Sequence, residues 1–266
     1  MIVDPEALAR TYNHPSKDPW EAVQLWREAS KKPDNWGSQR VATAINGDPN
    51  TDFEGITRSE VRAWVDGSGM PDAARAVQTA RELGWNGDTW TDAVRGIAWL
   101  VVGIYTFGSI SEENFAPSWS PDDPDSEAVI KDALSSVGVG YQHIERDNSK
   151  QGNEIRPTTH ATRLGRALVV AGAPVGNKNK RSVSTLPDWI GDAPIELKTE
   201  LALLFVQGRS IVYEGKATRR IQTNRSREYF EDIATLITDV TGEQVTSSDT
   251  GVTISAAAVR KLGLVN

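Results

Sequence analysis

Cysteine is absent from this 266-residue chain, which removes disulfides, thiolate metal sites and cysteine nucleophiles at once. Only three histidines are present (His14, His143, His160), too few for an all-imidazole metal site, and His143 and His160 read as ordinary polar residues rather than ligands. Long hydrophobic runs are missing too. The apolar stretch Trp99–Ile110 (WLVVGIYTFGSI) lies between Arg95 and Glu112-Glu113, about 15 residues against the roughly 20 that a membrane helix needs. Met1-Ile-Val-Asp-Pro5 lacks the basic head and apolar core of a signal peptide, so the expectation is a cytoplasmic protein with no membrane partner. Excess positive charge is lacking as well. A net charge of −7 argues against a surface covered with non-specific nucleic-acid contacts, although phosphates respond to local potential and a local basic face stays possible. Arginine outnumbers lysine about two to one and aspartate is abundant, a composition suited to a salt-adapted, haloarchaeal cytoplasm.

What is present begins with short helices. Length alone allows one or two domains. Pro19–Ala29 places Trp20, Val23, Leu25 and Trp26 near one face, the helical spacing. Ser38–Ile45 offers Ser38 as an N-cap and stops before Asn46-Gly47. Ile56–Val65 has Thr57 and Glu60 at capping-box spacing and ends at Asp66-Gly67, and Pro71–Leu83 follows with proline in its first turn. Two short helices and then one bearing Arg58, Ser59 and Arg62 match a helix-turn-helix, whose second helix enters the major groove. Arginine suits guanine and serine either base type or phosphate, so these three and Arg40 form the candidate DNA-binding set. Val41, Ala42, Ile45, Val61 and Trp64 are the expected core of such a module. The Asn46–Gly55 connection is longer than the usual 3–4-residue turn, and the alternative is a helical bundle with solvated arginines.

Beyond residue 90 the pattern changes to helices alternating with pairs of strands. Helices are expected at Asp125–Val137, His160–Ala171, Ile195–Gln207, Ser226–Val240 and Ala256–Leu262. Strands are expected at 139–144, 153–157, 211–214, 217–223, 244–246 and 251–255, the first two joined by a polar hairpin at 146–152. Leu100–Ile110 aligns without a gap on Leu201–Ile211, each a helix leaving through Ser-Ile. Helix-strand-strand-helix-strand-strand-helix therefore occurs twice.

From about residue 92 to 266 the chain resembles a single-chain, two-unit LAGLIDADG homing endonuclease of archaeal type with degenerate catalytic motifs. The resemblance rests on the two motif helices, on Leu164–Lys178 followed by Leu186-Pro-Asp-Trp-Ile190, and on Asn224–Ile237. It implies an α+β fold: tandem pseudo-twofold αββαββα units forming a saddle, preceded by a small all-α helix-turn-helix domain. The implied boundaries are 1–90, 91–193 and 194–266. In the family, small residues let the motif helices approach, here Gly103 and Ala202, and an acid near the end of each motif helix binds Mg²⁺. The corresponding positions are Tyr105 and Phe107 in the first copy and Val206 and Gly208 in the second, with Arg209 replacing a glycine. None can ligate through a carboxylate. The expectation is therefore no catalytic residue, no resident metal and no cofactor, with Mg²⁺ only if a displaced pair of Glu112 or Glu113 with Glu214 serves instead.

A saddle without metal can still hold DNA. Its candidate phosphate contacts are Arg156, Lys178, Lys180 and Arg181 in the first unit and Lys216, Arg219, Arg220, Arg225 and Arg227 in the second. Against this stand Glu145, Asp147 and Glu154, and the alternative that charged strand residues are a solvated face. The functional expectation is a regulator or site-specific factor that binds double-stranded DNA as a monomer with an internal pseudo-twofold. The alternatives are an active metal-dependent endonuclease and a protein-interaction module.

Overall fold

The computed structural model describes residues 1–14, 16–67, 69–145, 153–179 and 183–264. The chain divides into two compact units, residues 4–82 and residues 1–3 with 83–266. No helix among the described residues is long and apolar enough to cross a membrane.

The smaller unit consists of helices α1 (Pro5–Arg10), α2 (Pro19–Ser30), α3 (Ser38–Asn46), α4 (Arg58–Val65) and α5 (Asp72–Glu82). The first is too short to show a period, but its start is written locally: the Asp4 carboxylate accepts the Ala7 N–H and proline opens the helix. Asp18 and Pro19 start α2 in the same way. The start of α3 differs from expectation. Gly37 is its N-cap, and Ser38 is a buried first-turn residue whose N–H and hydroxyl both donate to Asp66, at 3.1 and 2.8 Å. The carboxylate just past the end of α4 thus satisfies the free donors at the start of α3. Asn46 clips the long α3–α4 connection: its side-chain amide donates to the Ile56 carbonyl at 2.8 Å and accepts the Ile56 N–H at 2.7 Å. Leu25, Val41, Ala42, Ile45, Ile56 and Val61 form the core between these helices, with Trp36, Phe53 and Trp64 packed against them.

The larger unit is an α+β fold with two antiparallel four-stranded sheets. Its elements are α6 (Asp92–Thr106), β1 (Gly108–Ile110), β2 (Pro117–Trp119), α7 (Pro124–Ser136), β3 (Tyr141–Ile144), β4 (Glu154–Pro157) and α8 (Ala161–Val170). After the short α9 (Trp189–Asp192) come α10 (Ile195–Arg209), β5 (Ser210–Val212), β6 (Arg219–Gln222), α11 (Arg227–Thr241), β7 (Val245–Ser248), β8 (Gly251–Ile254) and α12 (Ala256–Lys261). The sheets have the same strand order, β1-β2-β4-β3 and β5-β6-β8-β7, so the two halves repeat one topology.

Helix α6 packs against α7, α8, α10 and the first sheet. From Gly96 to Thr106 every residue but Trp99 is buried, which explains why the stretch carries no charge: a helix covered on all sides must be apolar all round. The expected close approach at Gly103 proves to serve a different neighbour. A Cβ there would lie 2.7 Å from Ile130 Cδ1 and 2.9 Å from the Trp119 ring, so this glycine makes room for a fully buried tryptophan rather than for α10. The close approach between the motif helices belongs to Gly208, where a Cβ would lie 2.8 Å from Phe107 Cδ1 and 3.1 Å from Thr106 Cβ. Near their N-terminal ends the same helices are joined by Glu200, which accepts hydrogen bonds from Arg95 at 2.8 Å and Trp99 Nε1 at 3.0 Å.

Candidate nucleic-acid interface

The four motif positions lie where α6 and α10 end. Tyr105 is buried and donates its hydroxyl to the Gly172 and Thr185 carbonyls at 2.8 and 3.3 Å, with its ring stacked on Tyr229. Burial pushes the Tyr105 phenol well above its usual range, so it is a neutral donor. Val206 is fully buried. Phe107 caps α6 and its ring occupies the space a side chain at Gly208 would need. The two equivalent positions are thus filled by one aromatic ring against one bare backbone. Glu112, Glu113 and Glu214 lie in exposed loops after β1 and β5, and Glu214 thus falls outside the strand expected at 211–214.

Beside these helix ends is a group of cations. Lys178 is half-buried, and its ammonium donates to the Ile104 carbonyl at 2.7 Å and the Gly108 carbonyl at 2.5 Å, closing the C-terminus of α6. Arg225 is buried and donates through Nη1 to the Lys178 carbonyl at 2.5 Å and the Asn224 carbonyl at 3.0 Å. Arg209, the last residue of α10, stands close enough for its charge to act on both. Burial, with Arg209 and Arg225 nearby, pulls the Lys178 ammonium down to about 7. Burial also lowers Arg225 from its ordinary value. Arg209 stood out in the sequence only as a misfit in the repeat, and nothing there placed it beside Lys178 and Arg225.

Strand alternation sorts the remaining cations. In the second sheet Ile221, Val252 and Ile254 are buried, and Arg219 shares their side by register, with Nη2 donating to the Leu264 carbonyl at 3.4 Å. Arg220 stands on the opposite side, in a cross-strand row with Ile211, Thr253 and Thr246, and donates to Thr250 Oγ1 at 3.2 Å. The pair read together from sequence therefore divides between two faces. In the first sheet Ser109 pairs with Ser118, and Gln142 with Arg156, on the side opposite buried Trp119 and Ile155. Glu154 lies on that side too and binds Arg156 at 2.8 Å, while Glu112 and Glu113 line the adjoining groove. This face has a hydroxyl and amide character that composition had not signalled. Elsewhere, Lys216 sits over the Tyr213 ring at 5.8 Å in the exposed β5–β6 loop. The Arg227 charge is countered by Glu231 at 2.7 Å and Asp249 at 3.5 Å. Lys180, Arg181 and the hairpin expected at 146–152 lie outside the described residues.

In the smaller unit, Arg58, Ser59 and Arg62 are exposed along α4. Asp66 organises two of them. Arg58 Nε donates to Ser38 Oγ at 3.2 Å, its Nη2 lies 3.9 Å from Asp66, and Arg62 Nε lies 4.0 Å from the same carboxylate. Hydrogen bonds from Ser38, reinforced by the two arginines, hold the Asp66 carboxyl below its usual range. Arg40 lies exposed on α3 over the Trp36 ring at 4.0 Å. No protein-family model matches the chain, and no curated protein matches it.

Proposed function

We propose that the chain is a DNA-binding protein, a regulator or site-specific factor, built on a LAGLIDADG-like tandem repeat that has lost its metal-binding acids. The observation that carries the reading is the repeat: two halves with identical strand order, whose motif helices pack side by side with Phe107 against Gly208 at their C-terminal ends, where such a nuclease keeps its acids. Its saddle face would offer Arg220, Arg156 and a set of serines, threonines and glutamines to the phosphate backbone. The smaller unit adds a helix-turn-helix-like surface of Arg58, Ser59, Arg62 and Arg40. Two repeats in one chain supply the pseudo-twofold that dimers otherwise provide, so the protein acts as a monomer.

Fluorescence anisotropy with random-sequence duplex DNA across a KCl series tests the reading, followed by genome-wide mapping of bound sites. Salt-dependent binding is expected, weakened by Arg220→Gln and separately by Arg58→Ala with Arg62→Ala. Incubation of genomic DNA with Mg²⁺ or Mn²⁺ is expected to leave it uncut, and cleavage abolished by changing Glu112, Glu113 or Glu214 would establish the nuclease instead. One feature favours a protein-interaction module as second reading: the edge strand β5 and the residue after it expose Ile211, Val212 and Tyr213. Absence of duplex binding even at low salt would favour it.

A further inference from the structure

The two motif helices end in a concentration of positive charge, the reverse of a metal-binding carboxylate pair. Lys178 reaches the end of α6 from the α8–α9 connection, Arg209 terminates α10, and Arg225 comes from the turn before α11. A shared backbone joins two of them, since Arg225 Nη1 binds the Lys178 carbonyl at 2.5 Å. The Arg209 charge acts on both of the others, and among the described residues none of the three is ion-paired to a carboxylate. Arg225 is only 5% exposed, and its Nε is buried without a hydrogen-bond partner among the described residues. A buried cation without a counter-ion is costly, and carbonyl oxygens offset only part of that cost.

We propose that Lys178, Arg209 and Arg225 form an oxyanion site at the joined ends of α6 and α10 that holds one phosphate group. The donor inventory fits. Lys178 gives two of its three N–H bonds to carbonyls and has one to spare, whereas Arg209 has no protein partner among the described residues and keeps its whole fork. Planar guanidinium groups bind phosphate oxygens in pairs, and lysine adds a compact charge. The chemistry is a tetrahedral oxyanion, supplied either by the phosphodiester of a bound duplex or by free phosphate. The first source rests on the DNA-binding reading above, but the site itself does not. Held this way, a backbone phosphate would dock at the pseudo-twofold directly against side-chain cations, without a bridging metal.

Arg209→Gln is the informative variant, because a half-exposed side chain without partners can be changed with little risk to the fold; Arg209→Lys is its conservative control. Measurements at a pH below 7 keep Lys178 charged. Inorganic phosphate is expected to raise the melting temperature of the native protein, and the rise should vanish in Arg209→Gln and survive in part in Arg209→Lys. With random-sequence duplex DNA, the slope of log affinity against log salt should fall by about 0.9 in Arg209→Gln, the loss of one phosphate contact. Phosphate stabilisation that needs Arg209, in a protein that binds no duplex, upholds the site and removes DNA as its source. Duplex binding that is unchanged in affinity and slope by Arg209→Gln, with no Arg209-dependent phosphate stabilisation, overturns the site and leaves the DNA-binding reading standing. If neither probe binds, both fail.

Discussion

Phe107 and Gly208 illustrate how single residues settle what the helix ends can do. Gly208 has no side chain because the Phe107 ring takes its place, at a distance of 2.8 Å from where a Cβ would stand. Gly208→Asp should therefore destabilise the protein by about 1–3 kcal/mol through overpacking, as read by chemical denaturation. Combining it with Phe107→Ala should cost less than the sum of the two changes, since the smaller residue vacates the contested space. Lys178 gives a second, pH-dependent signature. Its folded value of about 7 lies below the ordinary 10.5, so between these pH values the unfolded chain binds one more proton than the folded one. This group thus makes stability rise with pH from about 7 to about 10.5 and contributes no slope below 7. Lys178→Met should flatten stability over that window, measured as denaturation midpoints at several pH values.

At the scale of elements, caps and connections were only half legible. The Asp-Pro start of α2 and the Thr57–Glu60 spacing are local signals, and Glu60 indeed accepts the Thr57 N–H at 2.8 Å. Ser38 looked equally local, yet it lies inside α3 because its partner is Asp66 on another helix. No short-range rule predicts such a pairing, since it depends on how α3 and α4 pack. Asp66→Ala should lower the melting temperature, because it strips the buried Ser38 donors of their acceptor, and it also releases Arg58 and Arg62. Thermal denaturation reads the first effect, and the salt dependence of the proposed DNA binding reads the second. The six strands expected from residue 139 onward were found to within a few residues, whereas β1 and β2 had been given no bounds; register was not legible either, which is why Arg219 and Arg220 read as one basic pair and proved to face opposite ways.

The whole larger unit depends on how its halves meet. Glu200 binds Arg95 and Trp99 across the two motif helices, far from the packed ends at Phe107 and Gly208. Glu200→Ala should lower stability by about 1–2 kcal/mol, seen as a reduced denaturation midpoint, and should reduce any DNA binding that needs both halves held together. Sequence alone determined the repeat and the boundaries of most helices, because composition, helical period and caps act over a few residues. Tertiary structure decided the rest. It assigned Gly103 to Trp119 and Gly208 to Phe107, turned Arg219 away from Arg220, and brought Lys178, Arg209 and Arg225 together from three segments. Each of these depends on packing and register between elements distant in the chain, and neither is encoded in the spacing of nearby residues.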